Sequence, residues 1–460
     1  MEMQFDFGVL GLGVMGAALA KNIINHGFNT ALYSVSEEER TRFQNNEGVY
    51  KVFDNVERFI EALPKPRKVF LMITAGRPVD SVIDILLSLL EEGDIIMDGG
   101  NSHYKDTARR GIICREHGVE YMGIGVSGGE LGALMGPSMM VGGSEKAWSE
   151  VRNVLESISA KQGNGCCCAY IGPEGAGHYV KMVHNGIEYA ILELIAETYH
   201  FLRFERGKSV SDIKAIFEGW NQGALNSYLM EISALVLGKR DQDGESLIDK
   251  ILDVAEQKGT GKWTILEAVE RGVYIPSIYE AQAVRTFSAK RAERLRGAGQ
   301  LALHAVKAEA LQEEDIKNAL LLSIILCYSQ GFELIMKASD EEGWGIVPSN
   351  LAAVWKSGCI IRSRLLEEIE RVEDLYKNPL LLSKEFFFIS GLEKSLRKVS
   401  VSAAASGMPM SGFRSALQYY DYYRAGQMPV NFIQALRDCF GAHTYMRNDR
   451  EGHFHTKWQS

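Results

Sequence analysis

The hydrophobic pattern of this chain changes near residue 175, and this change constrains the fold more than any other feature. Before it, short apolar runs alternate with amphipathic stretches of helical periodicity, such as Met15–His26 and Val79–Leu90. Alternation of this kind predicts an α/β domain built on a doubly wound parallel sheet, with helices on both faces. The apolar runs predicted to be buried strands are Phe5–Leu10, Thr30–Tyr33, Lys68–Ile73, Asp94–Met97 and Val119–Met122.

Strand signals almost vanish after Gly175, where long segments of helical periodicity follow one another. This pattern predicts a large all-α domain over residues 175–434. Residues 435–460 are polar and aromatic, a segment too short for its own core and too aromatic for a disordered tail. We therefore expect this C-terminal tail to pack on another surface. The predicted helices are Ala176–Phe204, Val210–Leu237, Ser246–Lys258, Asp315–Lys337 and Leu380–Ser402.

The length and charge of the chain limit what it can be and what it can bind. A chain of 460 residues is too long for one compact core. Its formal net charge of −9 argues against nucleic acid as a general partner. An anionic substrate must therefore be bound by a local cluster of basic residues. No set of side chains has good metal-ligand spacing, so we expect no metal.

Three features predict a cytoplasmic protein without a membrane span. The longest uncharged stretch, Asn318–Phe332, is shorter than the roughly 18–20 apolar residues that a span needs. The acidic start Met1–Asp6 lacks the basic and apolar regions of a signal peptide. The seven cysteines are expected to be reduced thiols. The adjacent Cys166, Cys167 and Cys168 cannot all face one metal from a strand.

A glycine-rich segment, Gly11-Leu12-Gly13-Val14-Met15-Gly16, follows the first predicted strand and opens the first predicted helix. In this context Gly11 permits a tight turn, Gly13 lets the backbone approach a pyrophosphate, and Gly16 allows close helix–strand packing. The unpaired N–H groups of the helix N-terminus then bind the phosphates. Residues 1–174 are therefore predicted to form a dinucleotide-binding, Rossmann-like domain.

The end of the second strand usually distinguishes NAD from NADP, because a carboxylate there binds the ribose 2′-hydroxyl and an arginine accepts a 2′-phosphate. This chain has Ser34-Val35-Ser36 at that point, which offers neither group. The serine hydroxyls can hydrogen-bond a phosphate, and Arg40 or Arg42 can reach it from the next helix. Both arginines can equally face solvent, so these residues leave the choice of coenzyme open.

Lys181, His184, Asn185 and Glu188 are spaced i, i+3, i+4 and i+7, which places them on one face of a predicted helix. The glycine-rich approach Gly172–Gly177 can bring backbone close to a ligand. Beside a positively charged coenzyme, a lysine with a lowered pKa can act as a base, and the glutamate can be the complementary acid. The alternative is a solvated, charged helix face without a ligand.

Two loops at predicted strand ends carry further candidates. Asp98–Ser102, which contains Asn101, ends a strand at the carboxyl edge of the sheet, where open α/β sheets bind ligands. Ser127, Gly128 and Gly129 offer a hydroxyl and free N–H groups that suit a carboxylate. Either loop can instead be a tight turn that binds nothing.

Together these motifs resemble the 6-phosphogluconate dehydrogenase family, nearly from end to end. The resemblance is carried by GLGVMG, DGGNS, GVSGGELGALMGPSMM, GAGHYVKMVHNGIEY, EQKGTGKW, VRTFSAKR and RDCFGAHTY, in the family's order and spacing. It implies oxidative decarboxylation of 6-phosphogluconate in the pentose phosphate pathway, with NADP as coenzyme and NAD as the alternative. It also implies a homodimer in which each C-terminal tail reaches the partner subunit.

The resemblance also implies roles for individual residues. Lys181 would be the general base, and Glu188 the acid that protonates C1 of an enediol. The implied substrate-binding residues are Asn101, Ser127, Gly128, Gly129, His184, Asn185, Tyr189, Lys258, Thr260 and Arg285, joined by Arg437 and His443 of the partner subunit. The implied coenzyme-binding residues are Gly11, Leu12, Gly13, Val14, Met15, Gly16, Ser34, Val35, Ser36, Ile73, Thr74, Ala75 and Asn101.

Departures from the family lie mostly around the coenzyme. The family usually has Asn-Arg-Ser/Thr at residues 34–36 and a lysine near Thr74, and this chain has neither cation. We therefore expect modest discrimination between NADP and NAD. Two other interpretations are a smaller β-hydroxyacid dehydrogenase of the 3-hydroxyisobutyrate type and an inactive dinucleotide-binding paralogue. The intact phosphate-end residues argue against the first, and retention of both Lys181 and Glu188 argues against the second.

Overall fold

The computed structural model describes residues 4–43, 50–163, 165–256, 259–307 and 309–458. Its first part is built on an eight-stranded sheet with the order β10-β7-β6-β5-β4-β1-β2-β3, and β8 and β9 form a separate two-stranded hairpin. The strands are β1 (Phe7–Leu10), β2 (Thr30–Tyr33), β3 (Tyr50–Phe53), β4 (Lys68–Leu71), β5 (Ile95–Asp98), β6 (Glu120–Ser127), β7 (Ser138–Gly142), β8 (Lys161–Gln162), β9 (Gly165–Cys166) and β10 (Cys168–Gly172).

Neighbouring strands of the sheet run parallel, with the exception of the antiparallel pair β6 and β7. The connection between that pair, residues 128–137, is shorter than the dozen or more residues that a parallel crossover needs. The predicted α/β, Rossmann-like class is confirmed. The sequence did not predict β3, β7 or β10, and the expectation of a wholly parallel sheet is wrong at β6 and β7.

Helices cover both faces of the sheet. Phe7 and Val9 of β1 pack on one face with residues such as Leu19, whereas Leu10 points to the other face with residues such as Ile83. Both faces of these strands are buried, which explains their nearly continuous apolar sequences. The helices of this part are α1 (Val14–Asn25), α2 (Glu37–Thr41), α3 (Val56–Glu61), α4 (Arg77–Leu87), α5 (Tyr104–Glu116), α6 (Gly129–Met135) and α7 (Glu145–Ile158).

The second part of the chain is helical, as predicted. Its helices are α8 (Ala176–His200), α9 (Val210–Trp220), α10 (Tyr228–Gly238), α11 (Thr260–Glu270), α12 (Pro276–Ser288), α13 (Arg291–Gln300), α14 (Glu313–Glu342), α15 (Pro348–Trp355), α16 (Leu365–Ile369), α17 (Glu393–Ser406), α18 (Ser411–Arg424) and α19 (Val430–Gly441). A π-helical turn, Phe201–Glu205, extends α8, and 3-10 turns occur at Leu247–Lys250, Leu380–Leu382 and Lys384–Gly391.

Helix α14 lies in the middle of this helical core, against α8. By length and composition alone it is long and apolar enough to cross a membrane. However, 89% of its most apolar window is buried inside the structure, and the core helix of a globular domain passes the same test. Its apolar character is therefore explained by the neighbouring helices.

Two predicted helices are divided in the structure. Val210–Leu237 consists of α9 and α10, because Ser227 caps a new helix by accepting a hydrogen bond from the Met230 N–H. Leu380–Ser402 begins with two 3-10 turns, and only its last part belongs to α17. The consecutive apolar residues of that run lack helical spacing, and the 3-10 turns bury Phe386 and Ile389.

The helix predicted over Ser246–Lys258 is wrong. Its described part contains a single 3-10 turn, Leu247–Lys250. The apolar side chains of Ile251 and Leu252 are exposed instead of facing a core. Because most helical stability in proteins comes from burying an apolar face, the periodicity of this segment is not sufficient to form a helix.

Helix α8 contacts the sheet through glycines. A Cβ on Gly125 of β6 would lie 2.5 Å from the Lys181 Cβ of α8. A Cβ on Gly177 would lie 2.4 Å from the Met140 carbonyl oxygen and 2.5 Å from that of Gly123. Backbone meets backbone here, so α8 begins directly on β6 and β7. This contact carries the predicted catalytic residues to the edge of the sheet.

Replacing Gly177 by alanine is therefore expected to destabilise the protein, because rigid backbone must move to admit the methyl group. The expected cost is about 1–3 kcal/mol, typical of an overpacked core. The measurement is the thermal unfolding midpoint at a fixed scan rate. Gly111→Ala in α5 is the matched control, because nothing lies within 4 Å of its added Cβ. Equal midpoints for the two variants would contradict this account of the contact.

Candidate active site

A cavity of about 530 Å³ lies between the carboxyl edge of the sheet and the start of the helical part. Met15 of α1 and the loops after β4 and β5 line one side, and α8 and α11 line the other. Five of its lining residues are predicted to bind the coenzyme: Met15, Ile73, Thr74, Ala75 and Asn101. Four others have predicted substrate or catalytic roles: Asn185, Glu188, Tyr189 and Thr260. The fold thus brings both predicted sites to one space.

The glycine-rich loop at this cavity has the geometry of a dinucleotide site. Gly11 has a φ of +100°, and its added Cβ would lie 2.5 Å from the Met72 carbonyl oxygen. A Cβ on Gly16 would lie 2.0 Å from the Gly11 carbonyl oxygen, so only glycine allows α1 to start here. An added Cβ on Gly13 would lie 3.5 Å from the Glu39 Oε1, and no side chain caps the N-terminus of α1. These residues fit a bound pyrophosphate.

The end of β2 differs from what the sequence suggested. The Ser34 hydroxyl is buried and donates to the Glu39 carboxylate at 2.6 Å, whereas Val35 is largely exposed. Ser36 caps α2 by accepting from the Glu39 N–H. Both serine hydroxyls therefore already have a hydrogen-bond partner within the protein. Sequence reasoning missed the role of Glu39 at this turn. The signal was the acidic run after Ser36, but only the folded turn shows which of its carboxylates faces the glycine-rich loop.

Each of the two arginines proposed for a 2′-phosphate already makes hydrogen bonds through one guanidinium nitrogen. The Arg40 guanidinium donates to the Ser34 and Val35 carbonyl oxygens at 2.6 and 3.1 Å. Arg42 pairs with Glu38 at 2.7 Å on the exposed side of α2. The structure therefore favours neither as a free phosphate ligand.

A buried polar network holds the two loops that carry Thr74 and Asn101. Asp98 accepts hydrogen bonds from the Ser102 hydroxyl at 2.6 Å, the Tyr121 hydroxyl at 2.9 Å and the Gly100 N–H at 3.0 Å. The Arg110 guanidinium donates to the Ser102 hydroxyl at 3.1 Å. A second bond, at 2.9 Å, runs from Arg110 to the carbonyl oxygen of residue 76. One buried arginine thus fixes both loops relative to each other.

Lys181, His184 and Glu188 lie on one face of α8, as predicted, and Glu188 lines the cavity. Lys181 and His184 are buried. Among the described residues, neither the Lys181 amine nor the Glu188 carboxylate makes a hydrogen bond or a salt bridge. Burial lowers the pKa of Lys181 and raises that of Glu188, while the attraction between the two groups opposes both shifts. Burial therefore shifts each group toward its neutral form, the direction that suits a base at Lys181 and an acid at Glu188.

His184 is held as a neutral ring. Burial, followed by the charge of Lys181, keeps its pKa well below the usual histidine value. Its Nε2 lies 3.3 Å from the Ser127 hydroxyl, and its Nδ1 lies 3.3 Å from the Asn185 Oδ1. The ring also packs edge-on against Trp355. A neutral imidazole of this kind orients polar groups without adding charge to the site.

The loop after β6 joins this cluster to α6. Gly128 has a φ of +121°, and its added Cβ would lie 2.6 Å from the Gly358 carbonyl oxygen. Gly129 has a φ of +64° and begins α6. The loop therefore runs close to the helical part and places Ser127 beside His184. Its backbone conformation favours glycine at both positions.

The far end of the site carries a free cation. The Arg285 guanidinium stacks on the Tyr189 ring, 3.5 Å from its centroid. Within the described part of the chain this guanidinium makes no hydrogen bond or salt bridge. Thr260 begins α11, and Gly261 lets this helix start lie against Tyr189, since a Cβ there would be 3.0 Å from the ring. Lys258, predicted to join this group, lies outside the described residues.

Hydrogen bonds between α5 and α11 fix the position of this helix start. The Tyr104 hydroxyl donates to the Glu267 carboxylate at 2.7 Å, and Lys105 pairs with the same carboxylate at 2.9 Å. Arg271 bonds both Glu267 and the Tyr104 hydroxyl. Burial, followed by the Glu267 carboxylate, raises the pKa of Tyr104 to about 12, so its proton stays in this bond. Trp263, which lines the cavity, was also missed by sequence reasoning.

The predicted tail residues Arg437 and His443 do not line this cavity. The only side-chain hydrogen bond of Arg437 within the described residues goes to Gln434, and His443 packs against Phe440. Asp438, fully buried between them, organises the tail. Four groups donate hydrogen bonds to its carboxylate: the Thr444 N–H, the His455 Nδ1, the Thr456 N–H and the Trp458 Nε1.

No group of three or more histidine, cysteine, aspartate or glutamate side chains is placed to hold a metal ion within the described ranges. A glycine-rich dinucleotide loop, a base and an acid with opposite pKa shifts, and a free cation at one end define a dehydrogenase. Such an enzyme oxidises an anionic hydroxy acid with a nicotinamide dinucleotide. This class can then be narrowed by comparison with known proteins.

The chain belongs to the 6-phosphogluconate dehydrogenase family. Residues 6–172 match the family model described as the NAD binding domain of 6-phosphogluconate dehydrogenase, and residues 177–458 match that of its C-terminal domain. The second match covers both the helical part and the tail. It therefore favours this family over the smaller β-hydroxyacid dehydrogenases considered above. The expected recognition, enzyme class and nicotinamide dinucleotide coenzyme are confirmed.

Two relatives and one solved structure illustrate the similarity. A decarboxylating 6-phosphogluconate dehydrogenase of Staphylococcus aureus is 44% identical over 473 aligned positions, covering 99% of each chain. A Staphylococcus epidermidis enzyme of the same name is 43% identical over 466, again covering 99% of each. The Plasmodium falciparum 6-phosphogluconate dehydrogenase has a TM-score of 0.94 and 40% identity, covering 98% of this chain and 100% of its own. It has been solved in its apo form, with NADP+ and with 6-phosphogluconate.

The pH dependence of the reaction should reflect the buried amine. Because burial lowers the pKa of Lys181, kcat/KM is expected to rise with pH and to reach its plateau below the ordinary lysine value of 10.5. The negative charge of Glu188 raises that pKa, so Glu188→Gln should move the acid limb to lower pH. Initial rates of the wild-type protein and of Glu188→Gln, measured over the pH range in which the protein stays folded, would test both expectations. An acid limb at the pKa of an exposed lysine, or a shift of that limb to higher pH in Glu188→Gln, would contradict the assignment of the limb to Lys181.

Proposed function

We propose that this protein oxidises and decarboxylates 6-phosphogluconate to ribulose 5-phosphate and carbon dioxide, with reduction of NADP or NAD. The observation that carries this proposal is the arrangement of the site. The loops after β4 and β5, Glu188 of α8 and the Tyr189 ring that holds the unpaired Arg285 guanidinium lie around one cavity. Lys181 is two turns from Glu188 on the same face of α8. A turnover assay that follows reduced nicotinamide and carbon dioxide with each coenzyme tests the reaction directly. The relatives with the same name support the choice of substrate.

In the oxidation step, the neutral Lys181 amine takes the proton of the C3 hydroxyl. The bound coenzyme supplies a hydride acceptor for the hydrogen on C3. Lys181 suits this role because its amine is buried, uncharged at a lower pH than an exposed lysine, and without a competing partner in the described residues. The product of this step is a 3-keto acid, whose carboxylate is β to the new carbonyl.

In the second step, the bond between C2 and the carboxylate breaks and carbon dioxide leaves. The electron pair of that bond stays on the sugar and forms an enediol. The Lys181 ammonium, which now holds the proton, donates to the oxygen on C3 as negative charge develops there. Glu188, whose pKa is raised by burial, then protonates C1 of the enediol, which was C2 of the acid. The Lys181 amine takes back the proton of the neighbouring enediol hydroxyl, and this gives the ketose. These two residues therefore suffice for the proton transfers.

The remaining polar groups of the site would hold the acid end of the substrate. We assign the carboxylate to Ser127 and to the N–H groups of Gly128 and Gly129, and the hydroxyls to Asn101, His184 and Asn185. The neutral state of His184 supports this role, since its ring then donates from one nitrogen and accepts at the other.

The phosphate end would be bound by Tyr189, Thr260 and Arg285, with Lys258 beside them and with Arg437 and His443 of the partner subunit. Arg285 is the best supported member, because its guanidinium is held by the Tyr189 ring and its N–H groups are uncommitted within the described residues. An arginine presented in this way suits the geometry of a phosphate.

Substrates with and without the phosphate should separate this role from general binding. We expect Arg285→Met to lower kcat/KM for 6-phosphogluconate by about 10- to 100-fold, the equivalent of a lost charged hydrogen bond of 1.5–3 kcal/mol. The slow oxidation of unphosphorylated gluconate should change little, because it makes no such bond. Steady-state rates with both acids measure the effect. Equal losses for the two substrates would exclude a phosphate contact.

We also propose a homodimer and a division of the chain into a coenzyme domain, 1–174, a helical domain, 175–434, and a tail, 435–460. Phe432, Ile433, Leu436 and Phe440 of α19 are exposed, so an apolar face of this helix is uncovered in one subunit. Such a face suits a two-fold interface that carries each tail to the site of the partner. The seven cysteines are free, which supports a place in the reducing cytoplasm.

Complementation between inactive variants tests the tail exchange. Lys181→Ala and Arg437→Ala homodimers should each be nearly inactive. In a mixed dimer, one site carries both defects and the other carries neither. With random pairing of equal amounts, half the dimers are mixed, so roughly a quarter of wild-type activity should return after co-refolding.

The matched control is Lys181→Ala mixed with Arg285→Ala. In this proposal both residues serve the site of their own subunit, so every mixed dimer has one defect in each site and no activity should be regained. If the Lys181→Ala and Arg437→Ala mixture stays inactive although mixed dimers form, the tail serves its own subunit.

A further inference from the structure

A carboxylate that no motif predicts lies against the coenzyme loop. The Glu39 side chain reaches back from α2, where its Oε2 accepts from the Ser34 hydroxyl at 2.6 Å and from the Leu12 N–H at 3.2 Å. Its Oε1 lies 3.5 Å from the position of an added Cβ on Gly13. The carboxylate therefore bridges the end of β2 and the first turn of the glycine-rich loop.

This position is where the adenosine ribose of a dinucleotide lies in folds of this type. In such folds, a carboxylate at the end of the second strand accepts hydrogen bonds from the ribose 2′-hydroxyl, whereas a 2′-phosphate needs a cation. Ser34, at that strand end, has no charge of its own. Folding of the turn brings the Glu39 carboxylate to the same place from five residues further along the chain.

The turn is built to hold the carboxylate there. Ser36 accepts a hydrogen bond from the Glu39 N–H, which fixes the start of α2. Arg40 donates to the backbone carbonyls of Ser34 and Val35, which fixes the turn from the other side. The arginine is therefore used to shape the loop rather than left free for a phosphate.

The surrounding charges also oppose a dianionic group. Glu37, Glu38 and Glu39 form the first turn of α2. Arg42, the next cation along the helix, is paired with Glu38. Val35, exposed on the same turn, offers no charge. A 2′-phosphate would meet a carboxylate at hydrogen-bonding distance from the strand end, with its nearest arginines already bonded elsewhere.

We propose that Glu39 determines coenzyme specificity, by accepting a hydrogen bond from the ribose 2′-hydroxyl of NAD and by opposing the 2′-phosphate of NADP. The proposal rests on the proposed use of a nicotinamide dinucleotide and deepens it. Glu39 does not touch the reacting atoms. Its effect is on the binding of the adenosine half and should appear in the absence of any substrate.

The test measures the dissociation constants of NAD+ and NADP+ by calorimetry, with no turnover. In Glu39→Gln, NAD+ should bind more weakly and NADP+ more tightly, so that the ratio Kd(NADP+)/Kd(NAD+) falls by about tenfold or more, the size of one charged hydrogen bond. Glu37→Gln is the matched control, because it removes the same charge from an exposed position in the same turn. It should change the ratio by less than about twofold, as expected for a screened surface charge.

The wild-type protein provides a second test that does not depend on a variant. Salt screens the repulsion between Glu39 and a 2′-phosphate, so the ratio Kd(NADP+)/Kd(NAD+) should fall as ionic strength rises. A phosphate held by cations would give the opposite change.

Each outcome has one meaning. An unchanged ratio in Glu39→Gln, an equal weakening of both coenzymes, or a ratio that rises or stays constant with salt would overturn the role of Glu39 while leaving the reaction intact. A wild-type protein that binds neither dinucleotide would instead overturn the proposed function itself.

Discussion

Direct backbone contact between α8 and the sheet is the constraint on which the active site depends. At Gly125, Gly142 and Gly177, an added Cβ would lie within 2.6 Å of a facing atom, so no side chain can separate the helix from β6 and β7. This contact places Lys181 over the sheet edge and encloses its side chain. These three glycines therefore limit how much water reaches the Lys181 amine.

The same enclosure explains the unusual protonation of the site. A buried amine and a buried carboxyl without partners in the described residues are unfavourable in a folded protein, and both respond by favouring the neutral form. The desolvation that costs stability therefore shifts both groups toward the forms that the proposed mechanism uses. The apolar packing of α8 against α14 offsets that cost, because both helices are largely buried along their length.

Much of this site follows from sequence because its determinants are local. The spacing of Lys181, His184 and Glu188 fixes their common face once a helix forms, and the glycines of residues 11–16 fix the coenzyme turn. The predicted helix 246–258 failed because helix formation depends on a neighbouring surface that periodicity does not describe. Glu39 was missed for a related reason. Its role depends on a turn that folds back onto the first loop, and no spacing rule encodes that contact.

The tail shows how a short segment without a core can still have a defined shape. Asp438 accepts hydrogen bonds from groups as far along the chain as Trp458, and Tyr445 pairs with Phe454 through two backbone hydrogen bonds. Burial acts to raise the pKa of Asp438, but the hydrogen bond from His455 and its other donors hold it below the usual range, so the carboxylate keeps its charge. Arg437 and His443 flank this centre. A segment ordered in advance loses less conformational entropy when it docks on another surface.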